Sequence, residues 1–225
     1  MVTIDRRALM VSAAGLFLGG AARAQASAVP DGRRMAFELH RDGNRIGTHT
    51  LTFSRRGDDL VVDVAIDIEV KVAFITVFRY EHRNQEIWRD GRLLSLDART
   101  NHDGDHYRVV AKATGDGLQV DGSGGRFTAP ADTISTSWWN DAYVRRDQLL
   151  DSEKGKMMQA STKVVGRGPV EIAGGRSLDA THYRTSGEVK VQTWFAQEQW
   201  VGMSFIAFDQ EVVYRRVDGN LPRPA

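Results

Sequence analysis

The sequence predicts an all-β protein, a long-stranded antiparallel meander that forms a closed or half-open barrel, with one helix over 137–150 packed on or in it. Three observations carry that prediction. Over 60–73 the chain alternates, with Leu60, Val62, Val64, Ile66, Ile68, Val70 and Val72 on one side and mostly polar residues such as Asp63, Asp67 and Lys71 on the other. Period two over that length is a strand with one buried face. Similar runs recur along the chain, separated by turn-forming segments such as Asp42-Gly43-Asn44, Asp90-Gly91, Asp103-Gly104 and Asp116-Gly117, which read as hairpin connections. One segment alone changes to helical spacing.

The first strands are expected at 34–40, 45–54 and 60–73, and a long one at 74–88. Shorter strands follow at 93–102, 106–114 and 118–121. The Asp103-Gly104 pair between His102 and His106 is read as a turn rather than a metal loop, since Asp-Gly between alternating runs is a hairpin signal. In 137–150, Trp138, Ala142, Leu149 and Leu150 fall near one helical face, with Ser137 as N-cap and Gly155 as stop. Strands resume at 157–165, 170–173, 177–185, 189–195, 200–208 and 212–217. About a dozen strands in one flat sheet would leave long edges, so curling into a barrel is the expected outcome.

Residues 1–26 read as a cleaved export signal of twin-arginine type. Arg6-Arg7 precede an apolar run over 8–20, followed by Ala22-Arg23-Ala24-Gln25-Ala26, the three-part order of a leader. The apolar run, about 13 residues, is short of the roughly 20 that cross a bilayer. Cleavage fits after Ala24 or after Ala26. The remaining organisation is a linker over 27–33, a single β domain over 34–218 and a tail over 219–225. The expected location is periplasmic or secreted, with the export translocase as a partner through the signal.

The chain has 30 Lys+Arg against 29 Asp+Glu. Without Asp5 and the three arginines of the leader, 27 basic residues face 28 acidic ones. That balance argues against nucleic acid, which is bound through excess positive charge. No cysteine is present, so no disulfide supports the fold and no lipid anchor can be attached after the leader. No run after residue 26 is apolar enough to span a membrane as a helix.

Gly43-Asn44-Arg45-Ile46-Gly47, Tyr80-Glu81-His82 with the following Glu86-Ile87-Trp88-Arg89-Asp90-Gly91-Arg92-Leu93, Ser137-Trp138-Trp139-Asn140 and Trp200-Val201-Gly202-Met203-Ser204-Phe205 together resemble a family of exported bacterial proteins known only as a domain of unknown function. The chain is more distantly similar to a larger exported family of lipocalin-like or partly open antiparallel barrels. The resemblance implies fold and compartment, and it carries no reaction or catalytic residue.

The run 74–88 places Phe74, Thr76, Phe78, Tyr80, His82, Asn84, Glu86 and Trp88 on one face. Aromatic surface with a few hydrogen-bonding groups is the composition of a ligand cavity, while a strand passing from core to solvated rim reads the same way. The ligand-binding candidates are Phe78, Tyr80, His82, Glu86 and Trp88, joined by Trp138, Trp139 and Asn140 where the helix closes over the barrel. Tyr80, His82, Glu86 and His182 are acid–base candidates if one wall brings them within hydrogen-bond reach. No histidine has a metal-ligand spacing, and no nucleotide, phosphate or serine-nucleophile motif occurs, so neither metal nor cofactor is expected. The function expected is binding or carrying a small amphipathic or apolar, lipid-like molecule. The alternatives are a cofactor-free lyase, isomerase or hydrolase on a glycan or lipid, and an envelope assembly or interaction protein.

Overall fold

A computed structural model describes residues 28–217 and Leu221 of the 225. The leader expected over 1–26, and the tail expected over 219–225 apart from Leu221, lie outside the described residues.

The alternating runs form one antiparallel sheet. Its strands are β1 (Arg34–Arg41), β2 (Asn44–Arg56), β3 (Asp59–Val72), β4 (Ile75–Arg89), β5 (Arg92–His102), β6 (Asp105–Thr114), β7 (Gly117–Gly122), β8 (Gly125–Ala129), β9 (Gln148–Leu150), β10 (Met157–Ile172), β11 (Arg176–Gly187), β12 (Val191–Ala196), β13 (Gln199–Ala207) and β14 (Gln210–Arg216). Each is bonded to its sequence neighbour except β8 and β9, and β1 is bonded to β14, so the order runs from β8 through β1 and β14 to β9. The sheet is open between β8 and β9, giving a half-open, barrel-like form. Asp103 and Gly104 take positive φ of 54° and 99° in the β5–β6 turn, as expected of a hairpin.

Two strands depart from expectation. The runs 157–165 and 170–173 are one strand, β10, whose register shifts between Val164 and Gly166; a bulge absorbs the break that the glycines suggested. Gly125–Ala129 is an additional strand, too short to show a period.

The helix expected over 137–150 is absent. Only a 3-10 turn, Asp141–Arg145, forms there, and Gln148–Leu150 is a strand. Trp138 takes a positive φ of 67°, and Asn140 rather than Ser137 caps the turn by accepting from the Ala142 N–H at 3.0 Å. Ser137 is committed elsewhere, to Glu86, so its hydroxyl does not cap a helix. The backbone instead pairs with β9: Leu150 N–H donates to Ile134 O at 2.9 Å and Thr136 N–H to Leu150 O at 3.0 Å. The segment 130–147 thus crosses from one sheet edge to the other and packs Ile134, Trp139 and Tyr143 into the main core.

Cross-strand partners share a face of the sheet, so the register lays the inner face out in rows. The lowest joins Leu60, Trp88 and Leu93, and the next joins Phe53, Val62, Glu86 and Leu96. Leu51, Val64, Asn84 and Ala98 follow, then Phe37, His49, Ile66, His82 and Thr100. Above them stand Leu39, Gly47, Ile68, Tyr80 and His102, and the next row is Val70 with Phe78, where the β3–β4 register shifts. Trp139 fills the lower rows, edge-on to Phe53 and Trp88 with ring centroids 5.5 Å away in both cases. Burying a tryptophan removes roughly 150–250 Å² from water, about 4–6 kcal/mol of transfer free energy before ordering costs.

Candidate functional site

The crossing segment fills the lower rows and leaves the upper ones open, producing a cavity of about 350 Å³. Its walls are chiefly aliphatic and aromatic, including Ile66, Ile68, Phe78, Trp138, Met203 and Phe205. Phe78 of β4 and Phe208 of the β13–β14 turn, both on the cavity wall, meet with ring centroids 5.7 Å apart. Phe74, at the tip of the β3–β4 hairpin, is 100% exposed.

Two groups of polar side chains on the cavity wall are tied together by hydrogen bonds. The first is on β4 and its neighbours. His82, 2% exposed, shares a 2.8 Å hydrogen bond between Nδ1 and the Thr100 hydroxyl, and its Nε2 lies 3.5 Å from the Ser152 hydroxyl. Burial is the main reason that its pKa is lowered to about 4; Arg83 adds to the lowering and Glu153 opposes it. The second is built around the loop 151–156 between β9 and β10. The Tyr80 hydroxyl donates to Glu153 Oε2 at 3.3 Å, and His102 Nδ1 lies 3.0 Å from Glu153 Oε1. Burial raises the Tyr80 pKa, and the neighbouring Glu153 carboxylate raises it further.

The loop is held in place by backbone contacts. Asp151 Oδ1 accepts from the Glu153 N–H at 2.9 Å, and Gly155 N–H donates to Asp151 O at 2.9 Å. Lys154 O accepts from both the Ser123 N–H and its hydroxyl. Gly155, at φ 69°, packs so closely on the β7–β8 turn that an added Cβ would stand 2.8 Å from Gly122 Cα. Its role is therefore to let the loop that carries Ser152 and Glu153 approach the sheet, not to stop a helix.

Of the residues singled out in the sequence, Phe78, Tyr80, His82 and Trp138 line the cavity. Glu86 shares their sheet face but lies below, 0% exposed. Its Oε1 accepts from Asn84 Nδ2 and the Ser135 hydroxyl, and its Oε2 from Trp88 Nε1, the Ser137 hydroxyl and Trp139 Nε1. Five donors from β4 and the crossing segment satisfy the carboxylate without a cation, so it pins that segment to the sheet. Trp88 and Trp139 are its donors and core residues, and Asn140 is the cap of the 3-10 turn. His182 sits apart, stacked on Trp194 at 4.5 Å and bonded to Gln192, beside the small second cluster of Ala180, Ala196 and Val201. Tyr80 and His82 are neighbours, and Glu86 and His182 do not join them.

The sequence reading missed His49, His102, Ser152, Glu153 and Tyr214, all of which line the cavity. His49 had a usable signal, since it stands two and four residues before Leu51 and Phe53 in the inward row of β2. Ser152 and Glu153 had none, being brought in by a loop.

The sequence profile of a family described as a domain of unknown function, DUF6134, matches residues 37–217. A search among curated proteins gave no match. Among solved structures, the chain is similar to a beta-barrel-like protein of domain of unknown function DUF1849 from Brucella abortus, with a TM-score of 0.57 and 9% identity over 82% of this chain and 95% of that one. At that identity the likeness concerns the fold alone.

Proposed function

Since the chain belongs to the DUF6134 family, whose description names no activity, its role has to be read from the cavity, and we propose that it binds or carries a small amphipathic or apolar ligand in the periplasm. The observation that carries this reading is the cavity itself: about 350 Å³ of largely apolar wall with a minority of polar groups. Ligand sites span roughly 300–1,000 Å³ and have that composition. Acid–base catalysis by Tyr80, His82, Glu86 and His182 requires a shared wall. The commitment of Glu86 to five donors and the position of His182 beside Trp194 support binding over turnover.

The direct test is solvent extraction of protein purified from its own periplasm, followed by mass spectrometry. A retained apolar compound in stoichiometric amount is the expected result. An empty extract, together with no uptake of apolar probes by the purified protein, would overturn the reading. The compartment rests on the leader pattern and has its own test. Replacing Arg6-Arg7 by Lys-Lys should hold the full-length precursor in the cytoplasm, whereas normal processing of that variant would remove the twin-arginine assignment and leave export standing.

A further inference from the structure

Three of the two-residue turns between strands are Asp-Gly pairs at positive φ, Asp42-Gly43, Asp90-Gly91 and Asp103-Gly104, the polar and permissive residues that such turns ordinarily use. The β3–β4 turn is instead Ala73-Phe74 and the β13–β14 turn Phe208-Asp209, with Ala73 at φ 55° and Phe208 at φ 50°. A positive φ is unfavourable for a side chain as bulky as phenylalanine, so both turns hold apolar residues where the backbone favours Asn, Asp or Gly. Around the first turn every residue from Lys71 to Val77 is exposed, and five of the seven, Val72, Ala73, Phe74, Ile75 and Val77, are apolar. At the second turn Ile206 and Phe208 are 67% and 72% exposed. The two tips adjoin, since Phe208 meets Phe78, four residues along the chain from Phe74.

Exposed apolar clusters of this kind mark sites of contact with a protein or a membrane, and the shape of this one separates the two. Successive residues of a strand point to opposite faces, so exposure of all seven leaves both faces of the β3–β4 tip bare. A flat partner surface covers one face; an apolar medium that surrounds the tip covers both. Below the tip lies a charged collar, in which Glu69 accepts from the Thr76 hydroxyl at 3.1 Å and pairs with Lys71 at 2.6 Å and Arg79 at 2.8 Å. Glu69 stands opposite Arg79, and the turn begins four residues beyond it, about 13 Å at the rise of a strand. Apolar end and charged base are thus spaced like the acyl boundary and the headgroup layer of a bilayer, where interfacial segments reach a depth of roughly 5–10 Å. Charge plays little part, since Glu69 matches Lys71 and Arg79, Asp103 bonds the Arg79 N–H and Asp209 stands at the second tip.

We propose that the two apolar hairpin tips dock this protein on a phospholipid bilayer, with Phe74, Ile75 and Phe208 entering the apolar side of the interface and the Glu69 ion pairs staying among the headgroups. The attachment is hydrophobic and does not select anionic lipid. It brings the part of the cavity wall formed by Phe78 and Phe208 next to the membrane surface. Docking goes beyond the carrier reading and does not rest on it.

The test is flotation of protein purified from its own periplasm with vesicles of phosphatidylcholine alone and of phosphatidylcholine and phosphatidylglycerol in equal parts, at low and at high salt. The protein should float with both compositions, and salt, which screens exposed charges, should not release it. Taking one large apolar side chain out of water contributes a factor of roughly ten to a hundred. Phe74→Ser should therefore weaken vesicle binding about tenfold or more and leave the thermal midpoint unchanged, because Phe74 is fully exposed. In Phe74→Trp, phosphatidylcholine brominated on its acyl chains should quench the fluorescence of the added indole. No flotation of the unmodified protein, flotation that needs phosphatidylglycerol and is reversed by salt, flotation that Phe74→Ser leaves intact, or an unquenched indole each overturns the proposal. Self-association in place of vesicle binding, abolished by Phe74→Ser, assigns the tips to a second copy of the chain and overturns it as well. The carrier reading stands or falls on the extraction alone, so the two fail separately.

Discussion

Mild acid should destabilise this fold well above the range in which carboxylates titrate, and two histidines set the size of the effect. The pKa of His49 is lowered to about 3 and that of His82 to about 4, chiefly by burial, against about 6.5 in the unfolded chain. The unfolded state therefore takes up protons first as the pH falls, and stability is lost wherever it holds more protons than the folded state. The contribution of each histidine is complete above about pH 6.5 and declines below it, by roughly 1.4 kcal/mol per pH unit, until the folded value is reached. Between pH 7 and pH 5 each costs about 2 kcal/mol, about 4 kcal/mol together, against a total stability of roughly 5–15 kcal/mol. Glu69 contributes little in this window, because the stability tied to its lowered pKa of about 2 is lost chiefly as the pH falls below the ordinary carboxylate value. Asp141 and Asp151, both raised by burial, act with the opposite sign, each restoring stability as the pH falls toward its raised pKa. Urea unfolding followed by tryptophan fluorescence at pH 7, 6 and 5 reads the effect directly. With an m-value of about 2 kcal/mol/M, the midpoint should fall by about 2 M across the series. His49→Leu should halve that fall. A midpoint that is flat from pH 7 to pH 5 would refute the assignment of both rings as buried and neutral, and an unchanged slope in His49→Leu would refute that of His49.

Three further outcomes follow from the inner face. Val64→Asp should prevent folding, because it buries an unpaired carboxylate where the wild-type residue is 4% exposed, a cost of several kcal/mol. Asp63→Asn on the outer face, where Asp63 accepts from Gln85, should change the thermal midpoint little, and equal midpoints for the two variants would refute the inward assignment. Glu86→Ala should cost more than about 4 kcal/mol, since it strands the two indole N–H groups and one donor of the Ser135–Ser137 hydroxyl pair in the core; a urea midpoint within 0.5 M of the unmodified protein would show that water replaces the carboxylate. His82→Ala should cost about 1–3 kcal/mol at pH 7 through the loss of its Thr100 partner, and should also flatten the acid dependence, both read from the same urea series.

The strands were legible where alternation was long and turns were marked by Asp-Gly, and even the inward face of β4 followed from period two alone. The segment 130–147 was not. Trp138, Ala142 and Leu149 have helical spacing, yet the local preference loses to Ser135, Ser137 and Trp139 reaching Glu86, a carboxylate some fifty residues earlier in the chain. The same long-range pairing explains why Glu86 read as a ligand group: period two gives the face but not the depth, and at its depth the interior is filled. His82 and Tyr80, two and three rows higher, line the cavity for the same geometrical reason. Loop residues such as Glu153 reach the cavity only because Gly155 fits against Gly122, a contact without a periodic signature.

The pairing of the first strand with the last has a consequence for synthesis. Every other partnership between strands joins neighbours in sequence, so hairpins from β1 to β8 can form as the chain leaves the ribosome. Phe37 opposite Arg216 and Leu39 opposite Tyr214 must wait until almost the whole chain has been made, and contacts of such separation are slow to form. Until then one edge of β1 presents unpaired N–H and C=O groups beside Phe37 and Leu39, which invites pairing with another unfinished chain. A message truncated before Gln210 would leave that edge open permanently. Aggregation, rather than a smaller folded domain, is the fate such a fragment should meet.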